Sequence, residues 1–179
     1  MPAKVERGKK TMKSKPRQMG YLTYAILKEE ISLPSRERLA KGPVAIIECT
    51  EDIPCDPCVG ACKFGAISKK SLIIPPAIDY EKCTGCTLCI DVCPGLAIFV
   101  INMNYKEGKA LISIPYEMLP VPKRGEKVDI LDRSGKKIGE AEVIKVRRGK
   151  RGTFVVSVAV GKNLAMETRS IKIEREENE

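Results

Sequence analysis

The chain has 179 residues, 43% of them hydrophobic, and a formal net charge of +9 from 32 basic and 23 acidic side chains. This length allows one domain and a small companion, and the hydrophobic content is that of a soluble globular protein. No apolar run approaches the ~20 residues of a membrane helix. Residues 1–20 lack the apolar segment of a signal peptide, so we expect a cytoplasmic location. The sequence contains no His, which removes the commonest catalytic acid–base.

The N-terminal segment is strongly basic. Residues 1–20 hold seven basic residues against one acid, without apolar periodicity. We predict a disordered basic arm over 1–20, either a solvated tail or an arm that docks on an acidic partner. Residues 21–43 follow as a helical or extended docking segment, in which Ser35 caps a short helix and Gly42 ends it. Residues 44–48 read as a buried strand.

A run of four cysteines follows the spacing C-x2-C-x2-C-x3-C-P and comprises Cys83, Cys86, Cys89 and Cys93. This is the bacterial run for a cubane iron–sulfur cluster. The two-residue gaps let three thiolates converge from a tight loop, and Gly85 lets the backbone fold closely around them. In two-cluster ferredoxins the fourth Cys of the run ligates the other cluster. The motif therefore predicts a second one.

The second motif lies upstream and is an internal repeat of the first. A shift of 31 residues overlays its last three cysteines on the last three of the downstream run. Two half-domains are thus expected to share one small core. The upstream cysteines are Cys49, Cys55, Cys58 and Cys62.

The repeat breaks at one position, because the residue that matches Cys83 is Asp52. Either Cys49, three residues earlier, is the fourth ligand on a longer loop, or Asp52 binds iron through its carboxylate. We favour Cys49, since thiolate is the softer ligand and suits cluster iron better.

Two other uses of eight cysteines are disulfides in a secreted chain and zinc knuckles. The missing export signal opposes disulfides. The overlapping triplets and the absence of His oppose zinc, whose paired C-x2-C knuckles are usually 15–20 residues apart.

At these spacings, residues from about 44 to 101 resemble a bacterial-type ferredoxin domain with two [4Fe-4S] clusters, and we assign 44–119 to this domain. The resemblance implies a crossed set of ligands. One cluster would take Cys83, Cys86, Cys89 and Cys62, and the other would take Cys49, Cys55, Cys58 and Cys93. Ile78 is expected to lie on a strand whose partner is the apolar segment 95–101.

Residues 120–173 carry short alternating strands at 128–131, 137–146 and 153–160, joined by Gly-containing turns. This pattern predicts a small antiparallel β-barrel of the SH3-like kind. An acidic tail covers 174–179. The fold class is therefore α+β, with a ferredoxin-like dicluster domain followed by a small antiparallel SH3-like β-barrel.

The turn between the last two of these strands is rich in basic residues over 145–151. A solvated hairpin is one interpretation, a surface for protein docking or charge steering is the second, and nucleic-acid binding is the third. No aromatic residue lies in the turn to stack on a base.

The segments 37–45, 47–58, 93–100 and 115–120 are similar to the ferredoxin-like small subunits of multi-subunit flavin-dependent amino- and imino-acid dehydrogenases of the proline or hydroxyproline type. This resemblance covers about residues 36–160. It implies flavoprotein dehydrogenase subunits that carry FAD, with this chain passing single electrons from them to an external acceptor. No catalytic constellation of the chain's own is apparent. The alternatives are a free soluble ferredoxin and an iron–sulfur protein that binds nucleic acid.

Overall fold

A computed structural model describes residues 20–149 and 151–173. The predicted basic arm, except Gly20, and the predicted acidic tail lie outside these residues. The helices are α1 (Tyr24–Glu30), α2 (Arg36–Ala40), α3 (Pro57–Ala61) and α4 (Leu88–Val92). The strands are β1 (Val44–Ile47), β2 (Ile67–Ser68), β3 (Ala77–Ile78), β4 (Ile98–Lys106), β5 (Lys109–Tyr116), β6 (Lys127–Leu131), β7 (Lys137–Arg148), β8 (Phe154–Gly161) and β9 (Ser170–Lys172).

Seven of these strands form one antiparallel sheet in the order β1-β4-β5-β8-β7-β6-β9, and β2 pairs with β3 in a separate ladder. Irregular register interrupts the pairs β4–β5, β6–β7 and β7–β8. Such bulges bend a sheet and increase its twist. All seven strands contribute to one apolar cluster, so the sheet curves around a shared core.

The β1–β4 pair buries both of its faces, because successive side chains of a strand point to opposite sides. Ile46 and Ile101 pack in the large core shared with the C-terminal strands. Ala45 and Val100 pack on the other face, in a second cluster that includes six of the eight cysteines. This explains why β1 is buried at every position. The cysteine loops therefore pack against one face of the β1–β4 pair.

The α+β class is confirmed, and the strands predicted between 128 and 160 are present, but two details differ. Within the described residues the sheet is open, with β1 and β9 at its edges, and no closed barrel is found. The predicted boundary near residue 120 does not divide the sheet, because β5 pairs with β8 over eight residues from Lys109–Gly161 to Tyr116–Phe154.

One predicted strand pairing is wrong. Ile78 pairs with Ile67, not with the segment 95–101, and β4 instead lies between β1 and β5. Four apolar residues in a row, Ile98–Ile101, suit a central strand that is buried on both faces, whereas the two-residue β3 lies at the surface.

The predicted helix start at Ser35 is confirmed, since its hydroxyl accepts a hydrogen bond from the N–H of Arg38 at 3.2 Å. Helix α1 starts in the same way at Thr23. Across residues 20–149 and 151–173, no helix combines the length and apolar character needed to cross a membrane.

Candidate iron–sulfur centre

The two cysteine repeats adopt the same local structure. Helix α3 carries Cys58 and has Cys62 as its C-cap, and helix α4 carries Cys89 and has Cys93 as its C-cap. In each repeat the last Cys donates its N–H to the carbonyl three residues earlier, at 3.2 and 3.3 Å. The two short helices contact each other. The internal repeat in the sequence is therefore also a structural repeat.

The first site is a small pocket lined by four thiols. Apolar groups of Ala45, Ala66 and Ile67 complete its wall. One of the four thiols comes from the upstream repeat and three come from the downstream loop. The four are Cys62, Cys83, Cys86 and Cys89.

The second site is a larger pocket that opens to solvent and is walled by Ile47, Pro94 and Ile98 among others. Three of its four thiols come from the upstream repeat and one from the downstream repeat, so the two repeats exchange their last cysteines. The four are Cys49, Cys55, Cys58 and Cys93. The structure thus brings together the same two groups of four that the resemblance implies.

Asp52, the rival to Cys49, does not line this second cavity. It is exposed and lies in an adjacent groove that it shares with Cys49. This placement favours the thiol over the carboxylate, and the choice of ligand stays a prediction.

Burial disfavours the charged form of the innermost thiols. It raises the pKa of Cys58 to about 11 and that of Cys89 to about 12, and the pKa of Cys93 is also raised. The neighbouring thiols of the same set add to the effect for Cys58 and Cys89. Four such thiolates stay together only when positive charge lies between them. A bound metal centre supplies that charge and deprotonates the thiols that coordinate it.

Backbone N–H groups already point at three of the sulfur atoms. Ala66 donates to Cys62 at 3.2 Å, and at the equivalent place in the other repeat Ala97 donates to Cys93 at 3.5 Å. Ala45 of β1 donates to Cys83 at 3.3 Å. Such bonds stabilise negative sulfur and tune the potential of an iron–sulfur cluster.

The donor sets fit a cluster better than a single ion. Among the described residues, no three Cys, Asp or Glu side chains gather closely enough to hold one metal ion. Zinc needs this, because all its sulfur ligands lie about 2.3 Å from one point. A cubane holds its four thiolates farther apart, because each binds a different iron atom.

The loop that carries Cys83 and Cys86 is braced by the segment just before β1. Arg38 of α2 is buried and donates to the carbonyl of Cys83. Gly85, at φ +65°, lies so close to Pro43 that a Cβ atom would come within 2.6 Å of the proline ring. The predicted docking segment thus contacts this chain's own cysteine loop.

A second brace comes from the basic turn. The guanidinium of Arg147 donates one hydrogen bond to each carboxylate oxygen of Asp91, at 2.6 and 2.8 Å. It also donates to the hydroxyl of Thr87 at 2.9 Å. Asp91 is buried in α4, between Cys89 and Cys93. Arg147 is therefore engaged with the cysteine motif, whereas Arg148 and Arg151 of the same turn are exposed.

A third brace is a buried ionic cluster beside Cys49. Glu48 accepts two hydrogen bonds from Arg133, at 2.7 and 2.9 Å, and one from Nε of Arg169 at 2.7 Å. Nη2 of Arg169 is 2.6 Å from the same carboxylate, outside hydrogen-bond geometry. Burial opposes ionisation of Glu48, but the two guanidinium groups outweigh it and hold its pKa below the usual value. Glu167 also pairs with Arg133, at 3.1 Å.

Comparison with known proteins supports the downstream motif. Residues 76–99 match the 4Fe-4S binding domain. These residues contain Cys83, Cys86, Cys89 and Cys93, and the match supports a ferredoxin-type iron–sulfur domain with a role in electron transfer. Among curated proteins, the chain is 27% identical over 105 residues to Protein Pixie of Drosophila melanogaster. That alignment covers 52% of this chain and 17% of the relative, so the chain spans about a sixth of the curated protein it matches. No solved structure matches the chain.

Sequence reasoning did not find the bracing residues Arg38, Asp91 and Glu48. A signal was present for Asp91 and Glu48, because each is a charged residue in or at the end of an otherwise apolar element close to a cysteine. Arg38 lies in a charged helix and gave no such signal. The partners of Asp91 and Glu48 could not be identified, since Arg147 and Arg169 are distant in the sequence.

Proposed function

We propose that this chain is an iron–sulfur electron-transfer subunit with two [4Fe-4S] clusters. The observation that carries the proposal is the pair of cavities, each lined by four thiols, with one thiol exchanged between the repeats. Cys62, Cys83, Cys86 and Cys89 would hold one cluster. Cys49, Cys55, Cys58 and Cys93 would hold the other, with Cys49 preferred to Asp52.

Each cluster, when bound, accepts and donates one electron. The protein fixes the positions of the two clusters and shields them from water. The exchange of Cys62 and Cys93 places the two sites on neighbouring helices, α3 and α4, which contact each other. Buried apolar residues such as Ile67 and Ile98 keep water from the inner side of each site. Electrons therefore have a short route between two sites held in fixed geometry.

The partner in this proposal is a flavoprotein dehydrogenase, whose FAD collects two electrons that single-electron clusters disperse. Its support is the resemblance to dehydrogenase small subunits and an exposed apolar patch beside the second site. We call Ile53, Leu72, Ile73 and Ile74 the apolar patch, and they are 44–54% exposed. Leu72 accepts a hydrogen bond from the N–H of Cys55, and Ile53 lines the cavity of that cysteine. Large apolar groups exposed together often mark a protein interface.

The chain would have no catalytic site of its own in this arrangement. Substrate oxidation would take place on the partner, and this chain would carry electrons to an external acceptor. The alternative is a free ferredoxin, in which the apolar patch contacts partners only transiently.

The test is anaerobic native purification from the source organism, followed by analysis of iron, acid-labile sulfide and flavin. We expect about eight irons and eight sulfides per chain, as two cubanes require, and co-elution with a flavoprotein. Recovery with two clusters but without flavin or partner would favour the free ferredoxin. Zinc in place of iron would contradict the iron–sulfur function itself.

A pair of variants then tests the interface. Ile73→Gln adds a polar group to the centre of the apolar patch and should weaken co-elution. Met118→Gln makes the same kind of change at another exposed apolar side chain, 53% exposed, and should leave the complex intact. Equal behaviour of the two variants would exclude the apolar patch as the contact.

A further inference from the structure

Arg38 is a buried cation whose partners are all neutral. Its side chain is buried in α2 and donates to the backbone carbonyls of Tyr80 at 2.6 Å, Pro43 at 3.1 Å and Gly42 at 3.3 Å, and to that of Cys83. Within the described part of the chain, its contacts include no carboxylate. Burying a guanidinium without an anion is costly unless other charge compensates it. No carboxylate on the described residues therefore balances the charge of Arg38.

The surroundings of the other arginines are different. Arg133 and Arg169 share Glu48 and Glu167, which balance them. Arg147 is balanced by Asp91. Arg38 therefore differs from these three arginines in bringing uncompensated positive charge to the cysteine loops.

The loop that Arg38 contacts belongs to the first site, which is a source of negative charge when it holds a cluster. Cys83 is fixed from two sides, since its carbonyl accepts from Arg38 and its sulfur accepts from the N–H of Ala45. Four thiolates around a cubane core of charge +2 would carry a net charge of −2. This site, once loaded, supplies the anion that Arg38 lacks.

We propose that Arg38 is a positioning residue that shapes the Cys83 loop and raises the reduction potential of the cluster held by Cys62, Cys83, Cys86 and Cys89. The inference rests on the proposed function, in that it requires a cluster at this site. Reduction adds one negative charge to the site. A fixed cation nearby stabilises the reduced form more than the oxidised form, so the potential rises. The second site has its own cation, Lys69, whose ammonium donates to the carbonyls of Cys55 and Leu72, but this side chain is half-buried where Arg38 is buried.

The experiment uses the full chain, loaded with clusters under anaerobic conditions, and a redox titration followed by electron paramagnetic resonance. Arg38→Gln removes the charge, Arg38→Lys keeps it, and Arg36→Gln removes an exposed charge from the same helix as a control. A Cys55→Ser variant identifies the wave of the second site, because its change is confined to that site. Iron and sulfide are measured on every sample.

We expect Arg38→Gln to lower the midpoint potential of the first-site wave and to leave the other wave in place, with Arg38→Lys close to the wild type and Arg36→Gln unchanged. Full iron content with unshifted waves in Arg38→Gln would overturn the proposal, as would an equal shift in Arg36→Gln. Loss of half the iron in both Arg38 variants would support positioning and overturn the role of charge. Loss of all iron in both would show a general defect of folding and overturn both roles. A wild type without iron would instead overturn the proposed function.

Discussion

Arg147 binds Asp91 through two parallel hydrogen bonds of 2.6 and 2.8 Å, and this contact joins the C-terminal strands to the helix between Cys89 and Cys93. Bidentate contact is the strongest geometry for an arginine–carboxylate pair. Among the described residues of the basic turn 145–151, the basic side chains of Lys145, Arg148 and Arg151 are exposed. Arg147 is instead part of the support of the cysteine loops.

Replacement of Arg147 by Gln should destabilise the protein, because it leaves the Asp91 carboxylate buried without its cation. Breaking a buried pair costs about 3–5 kcal/mol. Since the Arg147 side chain is 31% exposed, we expect the lower part of that range. Denaturant unfolding under anaerobic conditions measures the change in free energy of unfolding.

The matched control for this prediction is Arg148→Gln, which removes an exposed charge from the same strand and should change stability little. Combining Arg147→Gln with Asp91→Asn should recover part of the loss, because the uncompensated charge disappears. Similar effects of Arg147→Gln and Arg148→Gln would contradict a structural role for the pair.

The ionic cluster around Glu48 predicts the order in which three substitutions lower the free energy of unfolding. Glu48→Gln leaves the buried guanidinium groups of Arg133 and Arg169 without their shared anion and should cost about 3–5 kcal/mol. Arg169→Met leaves Glu48 paired with Arg133 and should cost less. The exposed pair between Lys41 and Glu81 supplies the control, as Glu81→Gln should change stability by less than about 1 kcal/mol. An Arg169→Met variant less stable than Glu48→Gln would refute the shared-anion arrangement.

Gly85→Ala should impair the first site. A Cβ atom at this position, φ +65°, would lie 2.6 Å from the Cβ of Pro43 and 2.7 Å from its carbonyl carbon. The backbone would have to move and carry Cys86 with it. Gly108→Ala is the control, because Gly108 has nearly the same φ of +66° with open space around it. It should show only the conformational cost of about 1–2 kcal/mol. Iron content should fall by half in the first variant and stay complete in the second.

Cys49→Ala and Asp52→Ala distinguish the two candidates for the last ligand. Cys49 lines the cavity of the second site and Asp52 does not. We expect Cys49→Ala to lose or degrade one cluster, so that iron falls from about eight toward four per chain. Asp52→Ala should keep all of its iron. The reverse pattern would assign the carboxylate.

The cysteine positions were predictable because the information is local. Gaps of two and three residues constrain a loop and a helical turn, whatever the rest of the fold does. Cys62 and Cys93 were placed in opposite sets by resemblance, and the structure gathers the thiols in that way. The helix start at Ser35 was local in the same sense.

Strand pairing was not predictable to the same extent. Alternation identified the segments that became β6, β7 and β8, but alternation says nothing about which strand lies beside which. The pairing of β5 with β8 merges two predicted modules into one sheet. The contacts that brace the cysteine loops could not be predicted for the same reason. Arg147 and Asp91 are 56 residues apart in the sequence, and only the folded sheet brings them together.

Glu48 and Arg169 are separated by 121 positions in the chain. During synthesis the polypeptide leaves the ribosome from its N-terminus, so Glu48 and the adjacent Cys49 emerge long before Arg169 does. The second guanidinium of the Glu48 cluster therefore becomes available only after a further 121 residues have been made. The surroundings of Cys49 are therefore completed by a residue that is synthesised much later than the cysteine itself.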